Sequence, residues 1–143
     1  MARADGQAEV TGSSPLYLSS GDVLTIAEYA CDDMQVVVRD VGLLESAVCR
    51  PSASMFGEEA YRDLMEKAAS LLQSLAVNHP LIDGNRRTAW LSCVTFLSIN
   101  GVSLRPDIDD AEDLVIAVAT GQLDEVKLIA ERLRLLREQP DVS

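Results

Sequence analysis

The chain has 143 residues, a length that suits one domain. Hydrophobic residues make up 48% but aromatics only 4%, so the core must be built from Leu, Val, Ile and Ala, which favours packed helices over an aromatic-rich sandwich. Lys and Arg number 12 against 23 Asp and Glu, a net charge of −11, which excludes a surface built to coat nucleic acid or an anionic membrane and leaves room only for a local basic pocket.

Cys31, Cys49 and Cys93 are odd in number and form no Cys-x-x-Cys. Neither a disulfide framework nor a zinc site is indicated, and three buried thiols in a reducing, cytoplasmic setting is the expectation. No apolar run is long enough to span a bilayer. Residues 1–15 lack the apolar segment of a signal peptide and read as a flexible tail. The domain is expected to cover 16–138, with a second short tail at 139–143.

The predicted elements follow in chain order. Leu16 to Leu18 form a short extended lead-in. The stretch from Ser19 reads as a helix, with Ser19 and Asp22 spaced as a capping box and Val23, Leu24, Ala27 and Ala30 as its apolar stripe. "MQVVVRDVG" is rich in β-branched residues and is either a short strand-like flap or a loop. "DVGLLESAVCR" is a short helix that stops before Pro51, and "PSASMFGEE" is a connecting loop. A strong helix is predicted from about Glu58 to Val77, with Tyr61, Leu64, Met65, Ala68, Leu72 and Leu75 at helical spacing. Another is predicted from about Gly84 to Asn100; it is apolar almost all round and so should be central in the core. Asn100-Gly101 is its stop. "VSLRPDIDD" is a loop with room for a brief strand. Two further helices are predicted, one from Asp110 to about Thr120 and one from about Asp124 to Arg137. The fold class is an all-α bundle of about six helices.

Between the two strongest helices lies "NHPLIDGNRRTAW". It holds the chain's single histidine, an acid, a glycine, an asparagine and two adjacent arginines. Gly84 opens a helix, so the first N–H groups there have no intrahelical partner, and the helix dipole adds partial positive charge. Arg86 and Arg87 add two full charges where cations are disfavoured unless an anion binds. They either point to solvent or pair with surface acids, or they cradle phosphate with Gly84 and Asn85. The spacing is not that of a P-loop. His79 is suited to accept a proton near neutral pH, and Asp83 to hold Mg2+ shared with phosphate oxygens. Each also has an ordinary structural alternative: an exposed loop histidine, and a helix N-cap.

His79-Pro80-Leu81-Ile82-Asp83-Gly84-Asn85-Arg86-Arg87 resembles the Fic motif, His-Pro-Phe-x-Asp/Glu-Gly-Asn-Gly-Arg-x-x-Arg. With "RTAWLSCVTFLSING" and "ATGQLDEV" behind it, the chain resembles the shorter death-on-curing (Doc) branch, whose motif reads His-x-Phe-x-Asp-Ala-Asn-Lys-Arg-Thr-Ala. The resemblance covers roughly Leu16 to Leu136. It implies a Fic fold, ATP as donor, Mg2+, and transfer of a phosphoryl group to a protein Ser/Thr hydroxyl. It further implies a toxin with a cognate antitoxin as partner, and elongation factor Tu as the target whose modification stops translation. By position, His79 would be the base, Asp83 the Mg2+ ligand, Gly84 and Asn85 the anion hole with Arg86 beside them, and Arg87 the grip on donor phosphate.

Three departures stand out. Leu81 replaces the motif's Phe, which packs the loop into the core. Arg86 stands where AMP-transferring members have Gly and the Doc branch has Lys. Trp90 stands in the place of the final Arg and is expected to be core. No self-inhibitory Ser/Thr-x-x-x-Glu-Gly/Asn motif is present; Ser54 and Glu58 have its spacing but are followed by Glu59. Val36, Val37, Val38, Arg39 and Asp40 are the candidate flap on which a target peptide would lie as an added strand, the alternative being a buried linker. Two other functions stay open beside phosphoryl transfer: AMP transfer by the same cradle, and a catalytically weak module that binds an antitoxin and autoregulates.

Overall fold

The computed structural model describes residues 14–31 and 35–137. Most of both expected tails, 1–15 and 139–143, lies outside the described residues. Among those described, six α-helices carry the fold: α1 (Ser20–Ala30), α2 (Val41–Cys49), α3 (Leu64–Asn78), α4 (Asn85–Ile99), α5 (Ile108–Ala119) and α6 (Val126–Leu135). A two-stranded hairpin, β1 (Ser54–Met55) and β2 (Glu58–Glu59), is the only sheet among them. The expected mostly helical bundle is what forms, and no helix among the described residues is long and apolar enough to cross a membrane.

The ends of the helices follow local chemistry. Ser19 and Asp22 form the capping box of α1: Asp22 N–H donates to Ser19 Oγ at 3.1 Å, and Ser19 N–H donates to Asp22 Oδ2 at 2.9 Å. Asp40 caps α2, which gives way to a single 3-10 turn at Pro51. Asn100 ends α4 before Gly101, whose φ is +87°. Asn100 also clamps the start of the fold, accepting from Leu16 N–H at 2.8 Å and donating to Leu16 O at 2.9 Å.

The helix expected from Glu58 starts later. Phe56 and Gly57 both take positive φ, as a tight two-residue hairpin turn requires, and Ser54-Met55 pair antiparallel with Glu58-Glu59. α3 begins only after Asp63, whose Oδ1 accepts from Met65 N–H at 2.8 Å. Two cations bind this connecting segment to α3. Arg50 donates to Tyr61 Oη at 3.0 Å and to Ser74 Oγ at 3.0 Å. Lys67, 1% exposed, donates to Glu59 Oε1 at 2.6 Å and to Pro51 O at 3.2 Å.

The central helix is α3, not α4. Ten of its 15 residues are buried, and it packs against α2, α4, α5 and α6. The apolar residues of α4 have two surroundings. Ala89, Cys93, Phe96 and Leu97 are buried in the core, while Trp90 and Val94 are half-buried and line an open groove. The cysteines also differ from expectation. Cys31 and Cys93 are buried but Cys49 is exposed, and none is bridged. Burial alone pushes the Cys93 thiol up to about 12, so it is inert.

Candidate active site

The site lies where α3 ends and α4 begins. α3 terminates at His79, which takes a left-handed conformation (φ 53°, ψ 62°), unusual for a residue with a β-carbon and costing about 1–2 kcal/mol. Pro80 and Leu81 turn into the core, and Leu81 is 1% exposed. Leu therefore seats the loop where the family motif has Phe. Asn85 completes the seat. Its Oδ1 accepts from Leu81 N–H at 3.0 Å and its Nδ2 donates to Leu81 O at 2.9 Å. Both ends of the buried carboxamide are thus engaged inside the loop, and the backbone N–H of Asn85 is a further donor for a ligand.

Gly84 is the N-cap of α4, left-handed at φ +78°, and no side chain caps the helix. Asp83 is not the cap; its Oδ1 accepts from the adjacent Gly84 N–H at 2.8 Å, and the residue remains exposed. The first α4 bond runs from Thr88 N–H to Gly84 O, so the amides ahead of it face outward without intrahelical partners. Arg86 and Arg87 are exposed, and among the described residues neither pairs with a carboxylate. Of the two ordinary alternatives, pointing to solvent is the one their exposure fits, and among the described residues no surface acid holds them.

These residues share one cleft of about 480 Å3, lined by His79, Asp83, Gly84, Asn85, Arg86 and Arg87 together with Ile82 and Cys31. Cys31, at the end of α1, was not visible as a site residue in the sequence. A β-carbon built on Gly84 would lie 2.3 Å from Cys31 Sγ. Gly84 is thus required twice, by its φ and by the thiol packed on it. On the other side, Arg86 and Arg87 also open onto a second, mostly apolar groove of about 530 Å3 between α4 and α5, walled by Trp90, Val94, Val115 and Ile116. Trp90, expected as core, packs against the core with part of its surface and walls this groove with the rest.

The candidate flap lies directly on the loop. Val38 bridges Leu81 antiparallel, Arg39 N–H donates to Pro80 O at 2.7 Å, and Ile82 N–H donates to Val37 O at 2.9 Å. By the alternation of an antiparallel pair, the N–H and C=O of Val38 face the other way. Asp40 is engaged as the cap of α2, its Oδ1 accepting from Leu43 N–H at 3.0 Å. The segment is a single bridge rather than a strand, and Val37 is exposed, so it is not a buried linker. Ser54 and Glu58 lie on the hairpin at the opposite end of α3, about 22 Å from the cleft at the rise of an α-helix. Glu58 pairs with Arg62.

No group of three or more His, Cys, Asp or Glu among the described residues could form a cage for a metal ion. One exposed carboxylate beside a cationic cleft fits instead an ion that keeps its waters and shares phosphate oxygens, as Mg2+ does.

A bundle with an uncapped helix mouth, two exposed arginines without a carboxylate partner among the described residues, and one histidine at a single cleft has the features of a phosphate-binding helical domain. The family model described as Fic/DOC family matches residues 17–97, and the chain belongs to that family. Among curated proteins it is similar to "Toxin Doc" of Mycolicibacterium smegmatis, 52% identical over 117 residues that cover 80% of this chain and 89% of that protein. It is also similar to "Protein kinase doc" of Escherichia phage P1, 37% identical over 97 residues that cover 68% and 75% respectively. These likenesses support a place among the toxins of toxin–antitoxin systems within the family.

Proposed function

We propose that the chain is the toxin of a toxin–antitoxin pair and transfers the γ-phosphoryl group of ATP to a Ser or Thr hydroxyl of a protein. Elongation factor Tu is the target we infer from the family resemblance, and arrest of translation the outcome. The observation that carries the reading is Arg86, an exposed cation in the first turn of an uncapped helix, in one cleft with His79 and Asp83. The name of the phage relative, a protein kinase, agrees with it.

In this reading His79 accepts the proton of the target hydroxyl as its oxygen bonds to the γ-phosphorus, and the bond to the bridging oxygen breaks to release ADP. Asn85, Arg86 and Arg87 present backbone N–H groups to the oxygens that gain charge, while the Gly84 N–H is held by Asp83. Arg86 and Arg87 neutralise the donor chain. Asp83 would hold Mg2+, which supplies further neutralisation of the phosphates. Little else is needed, because phosphoryl transfer is mainly positioning and charge stabilisation. The target strand would lie along the free edge of 36–40, whose other edge is already paired to the loop.

One observation favours a second reading, AMP transfer. The apolar groove begins at the same two arginines, so a nucleoside lying on Trp90 would bring the α-phosphate to the cradle. The groove has another suitable occupant, an amphipathic helix of the antitoxin, and the proposed function assigns it that role. Incubation with ATP labelled separately in the γ-phosphate and in the adenine separates the readings. Label from the γ-phosphate alone on the target supports ours; adenine label on it refutes ours.

A further inference from the structure

The carbonyls that end α3 are held by one side chain from elsewhere in the fold. Arg39 Nε donates to His79 O at 2.7 Å, and Arg39 Nη2 donates to Asn78 O at 2.8 Å. A helix C-terminus leaves its last carbonyls unpaired and carries partial negative charge, so a guanidinium there is favoured on both counts. Its planar fork presents two N–H groups side by side, which matches two successive carbonyls; an ammonium has no such fork.

The left-handed conformation of His79 makes this contact consequential. A helix that ends in such a residue is ordinarily fastened by N–H groups of the next residues reaching back to its last turn. Here the next residue is Pro80, which has no N–H. The fastening comes from outside the helix, forty positions upstream. The Arg39 backbone is itself fixed, since its N–H donates to Pro80 O at 2.7 Å. One residue therefore grips the loop on both sides of the His79 peptide.

We propose that Arg39 is a positioning residue of the transfer site. Its guanidinium holds the His79 peptide in its left-handed conformation and so fixes where the imidazole stands in the cleft. The inference rests on the reading of His79 as the base, and it assigns Arg39 a role apart from the docking of target.

The chain's single histidine gives a test that needs no resonance assignment. In Arg39→Ala the imidazole 1H and 15N signals should shift and broaden while the helical circular dichroism is kept. The kcat for transfer should fall by about tenfold or more, with KM for ATP unchanged. Guanidinium ion added to Arg39→Ala should return both the signals and the rate, whereas Arg39→Lys should restore neither fully. Wild-type imidazole signals in Arg39→Ala would overturn the inference, as would a loss of rate matched by a loss of fold that guanidinium does not reverse. If the wild-type protein transfers nothing yet Arg39→Ala still moves the imidazole signals, the proposed function fails and the positioning of His79 stands.

Discussion

Cys31 Sγ occupies the space in which a side chain at Gly84 would begin, 2.3 Å from the position of the missing β-carbon. This ties the end of α1 to the mouth of α4. The alanine that the Doc branch of the motif carries at this position would force the Cys31 thiol to move in this chain. Gly84→Ala should cost about 3 kcal/mol, from the left-handed φ together with overpacking. Adding Cys31→Ala should recover the overpacking part, so urea melts of the two single variants and the double variant should give a coupling of about 1 kcal/mol or more. Additive losses would show that the thiol does not restrict the position.

Asn85 and Leu81 form the second such tie. Asn85→Ala removes a donor and an acceptor and leaves both backbone groups of a buried Leu81 unpaired. The expected loss is about 2 kcal/mol in a chemical melt, with a fall in kcat because the loop carrying His79 is no longer seated. Asn85→Asp keeps the acceptor for Leu81 N–H but sets a carboxylate oxygen against Leu81 O, so it should not restore the clamp. Unchanged stability in Asn85→Ala would mean that the clamp is unimportant.

The groove between α4 and α5 carries the regulatory prediction. Its walls are mostly apolar, with Glu112 among them, and Arg86 and Arg87 also line it, which suits an amphipathic helix whose acidic end meets the arginines. A cognate antitoxin segment that is unstructured when free should gain helix on mixing, seen as circular dichroism exceeding the sum of the parts. Val94→Glu should abolish that gain. No gain with the wild-type protein would refute coupled folding in the groove.

Lys67 yields a prediction in pH. Burial works against its charge, but the contacts with Glu59 and Tyr17 outweigh burial and raise its pKa above the ordinary 10.5. A raised pKa means that the folded state holds the proton more tightly. The stabilisation is present in full below 10.5 and is lost as pH rises through the higher folded value. Lys67→Ala should cost about 2 kcal/mol at neutral pH, discounted because Glu59 is half exposed. Its stability should fall less steeply than that of the wild type in alkaline melts. Parallel alkaline curves would contradict this account.

What could be read from the sequence was local. Ser19 and Asp22 announce the start of α1 because the capping box is contained in four residues. His79, Asp83, Gly84 and the arginines could be grouped because they fall on one loop and so in one cleft. The misreadings have non-local causes. Glu58 and Glu59 are good helix formers, but the turn at Phe56-Gly57 and the buried Lys67 hold them in a hairpin. A two-residue strand is also too short to show alternation. Trp90 packs against the core as expected, but apolar spacing could not show that its other face walls a groove. Cys31 and the side chain of Arg39 reach the site from distant elements, and nothing near them in the chain marks the contact.

The central claim, phosphoryl transfer dependent on His79 and directed by Arg86, is tested most directly by the mass of the modified target. Purified protein, ATP, Mg2+ and elongation factor Tu should give a target heavier by one phosphoryl group on a Ser or Thr. His79→Ala should give none with its fold intact. Arg86→Lys should keep the same product, and Arg86→Gly should lose it or turn toward AMP. An increment of AMP on the target with the wild-type protein, or an undiminished phosphoryl product with His79→Ala, would contradict the account.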